Sequence, residues 1–201
     1  EFSYGNAFDA AAFDANGDGL LDVMVVNDRG FEIERNRLYL SNGRTLEPSE
    51  DCDCEITMNA MGVHVGDVDN DGFSDVFISD VNDNHLLRGS ASGKFLDVSQ
   101  STGADFMLPE AMGWGSLLVD VDNDGWQDVV MAQGDLWYEG VEYVEYVGDL
   151  PLQVLMQEDG QFTESTDRLG FTLEGSLRSV VPADFNGDGV LDFVISDVEK
   201  A

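Results

Sequence analysis

The feature that most constrains this chain is an acidic motif that occurs four times. The motif reads D-x-[DN]-x-D-G-x-x-D, and its copies begin at residues 14, 67, 120 and 184 of the 201-residue sequence. A run of charge usually marks a solvated surface, but a scattered acidic surface has no reason to repeat one spacing four times. The repetition therefore indicates four copies of one structural unit, each with the same acidic loop.

The spacing of the oxygen-bearing side chains fits a hard divalent cation. Oxygens at positions 1, 3 and 5 converge when the chain curls tightly, the glycine at position 6 permits the turn, and calcium takes about six to eight oxygen ligands. Position 7 would add its backbone carbonyl, and position 9 would close the cage. We therefore expect about four calcium ions per chain, held by Asp14, Asn16, Asp18, Leu20 and Asp22; Asp67, Asp69, Asp71, Phe73 and Asp75; Asp120, Asp122, Asp124, Trp126 and Asp128; and Asp184, Asn186, Asp188, Val190 and Asp192.

The residues around the loops exclude an EF-hand and indicate strands. An EF-hand closes its site with a glutamate at position 12, whereas position 12 is apolar in all four copies. Short β-branched and aromatic runs precede and follow each loop, as at 63–65 and 76–78, and Gly, Asn and Asp bound them. This is strand chemistry rather than helix chemistry. Each loop is therefore expected to join two strands of a hairpin.

The hairpins belong to a longer repeat. Another pair of strand-like runs follows each of the first three, beginning at 36–40, 84–87 and 152–155. The motif recurs after 53, 53 and 64 residues, a period typical of propellers, and four strands in such a repeat make one blade. We predict an all-β fold in one domain spanning 1–201, built from β-propeller blades of four antiparallel strands. The predicted blades cover 5–58, 59–111 and 112–175, with an incomplete blade at 176–201.

These residues resemble a known family. The loops and the apolar strand that follows them resemble the FG-GAP and VCBS repeats of integrin-α-like propellers. The downstream pattern N-x-L-x-x, then G-x-F-x-[DE], then a glycine such as Gly103 or Gly170, is similar to ASPIC/UnbV-type and cartilage-acidic-protein-type propellers. The Phe-Gly and Gly-Ala-Pro signatures are degraded here, and the sequence shows no ASPIC/UnbV segment. The resemblance implies a calcium-binding propeller and says little about its ligand.

The predicted blades leave the ring incomplete. About three and a half blades are present, whereas a closed propeller needs about four to eight. We expect the chain to be a segment of a larger, seven-bladed propeller. A second copy that completes one ring is the alternative, and light scattering that showed a monomer of 22.0 kDa would exclude it.

The charge, the apolar runs and the acidic loops together limit which partners and which cellular location are expected. The chain has 41 acidic and 9 basic residues, a formal net charge of −32. Nucleic acid and anionic lipid are bound through clustered Lys and Arg, so neither is an expected partner. No apolar run approaches the ~18 residues of a membrane span, so membrane insertion is not expected. Loops of this kind fill where calcium is abundant, which predicts an extracellular, cell-surface or periplasmic location.

The two cysteines, Cys52 and Cys54, lie one residue apart. Three states remain open for them: free or modified thiols, a local disulfide, or a bond to a partner elsewhere. A zinc site would need two further ligands.

The sequence offers little for catalysis. His64 precedes a loop and is expected to have a structural role, whereas His85 begins a strand and is expected to be exposed. Neither a nucleophile elbow nor a zinc-protease motif occurs. We predict a non-enzymatic module for extracellular adhesion or ligand recognition, in which calcium is structural. The alternative is a lectin-like glycan binder, or a non-catalytic propeller part of an extracellular carbohydrate-active enzyme.

One aromatic stretch suggests a ligand surface. The third repeat has 11 more residues than the second, within residues 134–149. Its aromatic side chains, interleaved with glutamates, suit contact with a glycan or a protein: Trp137, Tyr138, Tyr143 and Tyr146. An extended ribbon that packs on its own blade explains the same alternation, so both interpretations stay open.

Overall fold

A computed structural model describes residues 5–109, 111–134 and 149–198. The first sheet contains β1 (Asn6–Phe13), β2 (Asp22–Asp28), β3 (Arg37–Ser41) and β4 (Leu46–Pro48), and the second contains β5 (Ala60–Gly66), β6 (Asp75–Asp80), β7 (His85–Arg88) and β8 (Leu96–Asp97). The third contains β9 (Met112–Val119), β10 (Asp128–Gly134), β12 (Gln153–Glu158) and β13 (Gln161–Glu164). Two further pairs are β11 (Leu150–Pro151) with β14 (Glu174–Gly175) and β15 (Leu177–Ala183) with β16 (Asp192–Asp197).

The three four-stranded sheets follow one plan. The first two strands form a hairpin whose turn is an acidic loop, and the next two strands return antiparallel to them. The last residue of the first strand pairs with position 9 of the loop in every hairpin, as in Gly66 with Asp75 and Val119 with Asp128. The prediction of an all-β fold built from four-stranded antiparallel propeller blades is confirmed. Closure into a seven-bladed ring stays a prediction.

Successive sheets pack face to face through their first strands. β1 contacts β5, β5 contacts β9, and β9 contacts β15. Two glycines allow this approach: a Cβ on Gly62 would lie 2.7 Å from the carbonyl oxygen of Trp114, and one on Gly115 would lie 3.0 Å from that of Arg178. Because backbone atoms cannot move aside as a flexible side chain can, these positions require glycine.

The apolar core lies between the sheets. One buried cluster joins the first two sheets through Met24, Val76 and Phe95, a second joins the next two, and a third joins the third sheet to the β15–β16 hairpin. Within the described residues β16 has no third strand beside it. Val194 on β16 is consequently 55% exposed, whereas Val130, at the same position of the third repeat, is fully buried.

Two features differ from or extend the expectations from the sequence. Two short helices, α1 (Ser99–Thr102) and α2 (Thr166–Leu169), interrupt the strand pattern, and each ends at a left-handed glycine. Those glycines are the ones that recur eight residues after Phe95 and Phe162. Of the three states left open for the cysteines, the structure has the local disulfide, Cys52–Cys54. No helix in the described part of the chain is long and apolar enough to cross a membrane.

Candidate metal loops

The four acidic loops, numbered 1 to 4 in chain order, share one hydrogen-bonded turn. In each loop the carboxylate at position 1 accepts the backbone N–H groups of positions 5 and 6. In loop 2, Asp67 accepts them from Asp71 at 3.1 Å and Gly72 at 3.0 Å, and the matching distances in the other loops lie between 2.8 and 3.2 Å. The carboxylate at position 5 then accepts the N–H of position 7. The short spacing therefore folds each loop around its own acidic side chains.

Two positions of each turn have left-handed backbone. The glycine at position 6 has φ between 83° and 95° in the four loops, as its place in the motif predicts. Position 4 is also left-handed, with φ between 57° and 77°. Sequence reasoning missed this second position, although the signal was present: Gly17, Asn70, Asn123 and Gly187 are all residues that tolerate this conformation.

The turn brings three carboxylates together in loops 2 and 3. One oxygen from each of Asp67, Asp69 and Asp71 lies within 4.8 Å of the others, and the same holds for Asp120, Asp122 and Asp124. Three carboxylates at this separation repel one another strongly. A hard divalent cation bound between them is attracted to all three and offsets that repulsion. The donor set of these two loops therefore fits calcium.

Loops 1 and 4 differ at position 3, where each has an asparagine. Asn16 accepts the N–H of Asp18 through its amide oxygen at 3.0 Å, and its amide nitrogen donates to the carboxylate of Asp18 at 3.1 Å. Asn186 accepts from Asp188 in the same way at 2.9 Å. An amide oxygen is still a calcium ligand, but each of these loops has one negative charge fewer.

The aspartate at position 9 has a role that sequence reasoning missed. Both oxygens of Asp128 accept backbone N–H groups, from Val121 within the loop at 2.9 Å and from Gln157 on β12 at 2.8 Å. The same pair of bonds joins Asp22 to Ala15 and Ser41, and Asp75 to Val68 and Gly89. These three carboxylates are fully buried. Position 9 thus ties the loop to the third strand of its sheet, and its coordination of a cation stays a prediction.

Burial raises the pKa of two of these carboxyl groups. The pKa of Asp75 and that of Asp128 both rise to about 6, because loss of solvent disfavours the charged form more than the two backbone N–H groups favour it. The pKa of Asp69 is also raised, first by burial and then by the neighbouring charge of Asp71. In loop 4, by contrast, backbone N–H groups lower the pKa of the exposed Asp184.

Two groups of predicted site residues remain: the position-7 residues of the loops and the aromatic residues of the third repeat. The backbone N–H of each position-7 residue donates within its loop, and coordination by the carbonyls of Leu20, Phe73, Trp126 and Val190 stays a prediction. The proposed ligand surface, Trp137, Tyr138, Tyr143 and Tyr146, lies outside the described residues.

The two histidines have different environments. His64 accepts the backbone N–H of Leu118 on the next sheet at 3.1 Å, and burial lowers its pKa. His85 was expected to be exposed, but it is half-buried, and its Nδ1 lies 2.8 Å from a carboxylate oxygen of Asp97. It lines a groove of about 510 Å³ with Asp83, Asp105 and other polar side chains. Within the described residues this groove has no Lys or Arg in its lining, so it is acidic.

Four-stranded antiparallel sheets that pack face to face, each with an acidic loop between its first two strands, are the blades of a partial β-propeller. A family model described as an FG-GAP-like repeat matches residues 14–78, 67–131 and 120–195. The chain therefore belongs to the FG-GAP-like repeat family.

Several known proteins are similar to this chain. Cartilage acidic protein 1 of Homo sapiens is 27% identical over 200 residues, and that of Xenopus tropicalis is 28% identical over 140 residues. These matches cover 94% and 68% of this chain, which spans only 28% and 19% of the two relatives. A solved structure, the rhamnogalacturonan lyase PL11 of Bacillus licheniformis, superimposes with a TM-score of 0.50 at 15% identity, covering 96% of this chain and 41% of the lyase. That likeness shows the fold alone.

The difference between the loops predicts a ranking of affinity. Replacing Asn186 with Asp in loop 4 gives it the donor set of loops 2 and 3, so we expect its calcium affinity to rise by about tenfold, because affinity follows ligand charge. Calorimetric titration of the N186D variant measures this. The matched control is Asn82→Asp, which adds the same charge in an exposed turn after β6, at the end of that strand away from loop 2. Four indistinguishable sites in the unaltered protein would contradict the ranking.

Proposed function

We propose that this chain is a calcium-stabilised propeller module that recognises a ligand outside the cell. The observation that carries the proposal is the convergence of three carboxylates in each of loops 2 and 3. Three buried aspartates fasten the loops to the third strands. A cation in such a loop neutralises charge at the apex of a hairpin, which is a structural task rather than a catalytic one.

The surrounding charge supports an extracellular location. A net charge of −32 disfavours the compact state through self-repulsion, and four calcium ions would bring it to −24. Calcium stabilises the native state because the unfolded chain has no preformed cage, so the module benefits from an environment where the ion is abundant. Membership of the FG-GAP-like repeat family supports the same location.

Further blades complete the ring in this proposal. The outer edge of β16 has no strand paired to it within the described residues, and Val194 beside that edge is largely exposed. In the three four-stranded sheets the same edge of the second strand pairs with a third strand. The relatives are several times longer than this chain, which favours a longer propeller over a ring shared by two copies.

A binding screen tests recognition and its dependence on calcium. We expect the protein to bind an extracellular protein or a glycan in millimolar calcium and to lose that binding in chelator. The double variant Asp69→Asn, Asp122→Asn removes one carboxylate from each of loops 2 and 3 and should lose binding at limiting calcium. Glutamines in place of two exposed acidic residues elsewhere, Glu47 and Glu158, serve as the control. Binding that is unchanged in chelator would contradict the proposal, and hits confined to glycans would favour the lectin-like form of it.

A further inference from the structure

Loops 2 and 3 are joined directly to one another. The side-chain oxygen of Gln127, at position 8 of loop 3, accepts the backbone N–H of Asp67 at 2.9 Å. Asp67 is the first residue of loop 2, so this bond holds the backbone that carries its first carboxylate. A second bond runs the other way, from the amide nitrogen of Asn70 in loop 2 to the carbonyl oxygen of Gly125 in loop 3, at 3.2 Å.

A buried glutamine on β12 reinforces the same junction. The backbone N–H of Gln157 donates to Asp128, at position 9 of loop 3. Its side-chain nitrogen donates to the carbonyl oxygen of Gln127 at 2.8 Å and to that of Val68, in loop 2, at 3.1 Å. Gln157 is 3% exposed, so these bonds are shielded from competing water. One side chain therefore contacts both loops at once.

Among the described residues, this junction occurs between loops 2 and 3 and at no other pair of loops. Position 8 is a leucine in loops 1 and 4 and a serine in loop 2, so only loop 3 has a side-chain amide there. The residues that correspond to Gln157 in the first two sheets are Ser41 and Gly89. Gly66 makes the room: a Cβ at that position would lie 2.0 Å from the side-chain oxygen of Gln127. The two joined loops are also the two in which three carboxylates converge.

We propose that Gln127 is a positioning residue that couples loops 2 and 3, so that a cation bound in one loop raises the affinity of the other. This inference rests on the proposed calcium binding. A cation in loop 3 orders the segment from Trp126 to Asp128, and the middle residue of that segment is Gln127. Fixing Gln127 fixes the backbone of Asp67 and hence its carboxylate. By thermodynamic reciprocity, a cation in loop 2 must favour binding in loop 3 to the same extent.

The coupling can be measured at one loop alone. Trp126 lies at position 7 of loop 3, where its indole can sensitise the luminescence of terbium(III), a calcium substitute, whereas position 7 of loop 2 is Phe73. The Trp126→Phe variant verifies the source of the signal. We would titrate the protein with terbium(III), then repeat the titration after disabling loop 2 with Asp69→Asn and Asp71→Asn. We expect the affinity at loop 3 to fall by about fivefold or more, the lower end of typical coupling between sites.

The Gln127→Leu background separates the effect of the Gln127–Asp67 hydrogen bond from the effect of the charge that the loop 2 substitutions remove. Leucine is the residue at this position in loops 1 and 4, and the altered charge of loop 2 acts equally in both backgrounds. We expect the loop 2 substitutions to change the affinity at loop 3 by less than about twofold once Gln127 is replaced. Disabling loop 4 with Asp188→Asn should leave loop 3 unchanged in either background, and melts in chelator show that each variant is folded.

The outcomes are distinct. Coupling that persists in the Gln127→Leu variant overturns this inference. So does a cation affinity at loop 3 that is the same with and without the loop 2 substitutions when Gln127 is present. Both outcomes leave cation binding itself intact. A folded protein that gives no terbium(III) signal from Trp126 and binds no calcium by calorimetry contradicts the proposed calcium function itself.

Discussion

Replacing Asp128 with alanine is expected to lower the free energy of unfolding by about 2–6 kcal/mol even when no calcium is present. The substitution removes the acceptor for two backbone N–H groups, those of Val121 and Gln157. Each buried donor left without a partner costs about 1–3 kcal/mol. Since a domain of this kind has only about 5–15 kcal/mol in total, the D128A variant should unfold at a much lower temperature or fail to fold.

The fourth hairpin supplies the matched control. Asp192 occupies the same position of its loop, but within the described residues only one bond to its carboxylate is seen, from the N–H of Phe185 at 3.1 Å. Asp192→Ala should therefore cost about 1 kcal/mol, the net value of one exposed hydrogen bond. Urea unfolding in chelator compares the two variants without any contribution from metal. Equal losses would show that the bond to the third strand contributes nothing. If D128A does not fold, Asp128→Asn, which retains one acceptor oxygen, should give an intermediate loss.

Calcium is expected to raise the melting temperature by about 10–20 °C. A site at a ligand concentration 100 times its Kd stabilises the native state by about 2.7 kcal/mol, so loops 2 and 3 together contribute about 5 kcal/mol. For a domain of this size, each kcal/mol shifts the melting temperature by about 2–4 °C. The carboxylates of these loops repel one another without a cation, which makes the metal-free protein the less stable reference.

Melts in chelator and in excess calcium measure this shift. The double variant Asp69→Asn, Asp122→Asn should lose most of it, because each of the two loops then has one carboxylate fewer. Magnesium should stabilise less at equal concentration, since it gives up its water reluctantly and demands stricter octahedral geometry. An identical melting temperature with and without calcium would contradict a stabilising role for the ion.

The turns of the loops were predictable because they are local. Every hydrogen bond within a loop joins residues at most seven apart in sequence, such as Gly72 to Asp67 and Val121 to Asp128, so the spacing of Asp and Gly determines the turn almost by itself. The strands were predictable for the same reason, since β-branched runs bounded by Gly and Asp have few alternatives. The repetition strengthened the prediction of the turns and that of the strands, because a wrong assignment in one copy would have disagreed with the other three copies.

The features that escaped prediction depend on residues distant in sequence. The second partner of Asp128 lies 29 residues away on β12, and the partner of Gln127 lies 60 residues away in another sheet. No spacing rule within one repeat can reveal such contacts. The Cys52–Cys54 disulfide was one of three open states because sequence separation alone does not say which thiols meet. The two short helices were missed because their four residues are too few to show helical periodicity.

The most direct test of the account is a calorimetric calcium titration of chelator-stripped protein, with a melt of the same sample to show that it is folded. We expect about four ions per chain, two bound more tightly and two more weakly. The tighter class should disappear in the Asp69→Asn, Asp122→Asn variant, which identifies it with loops 2 and 3. A folded sample that binds no calcium would contradict the central claim that these loops are metal sites.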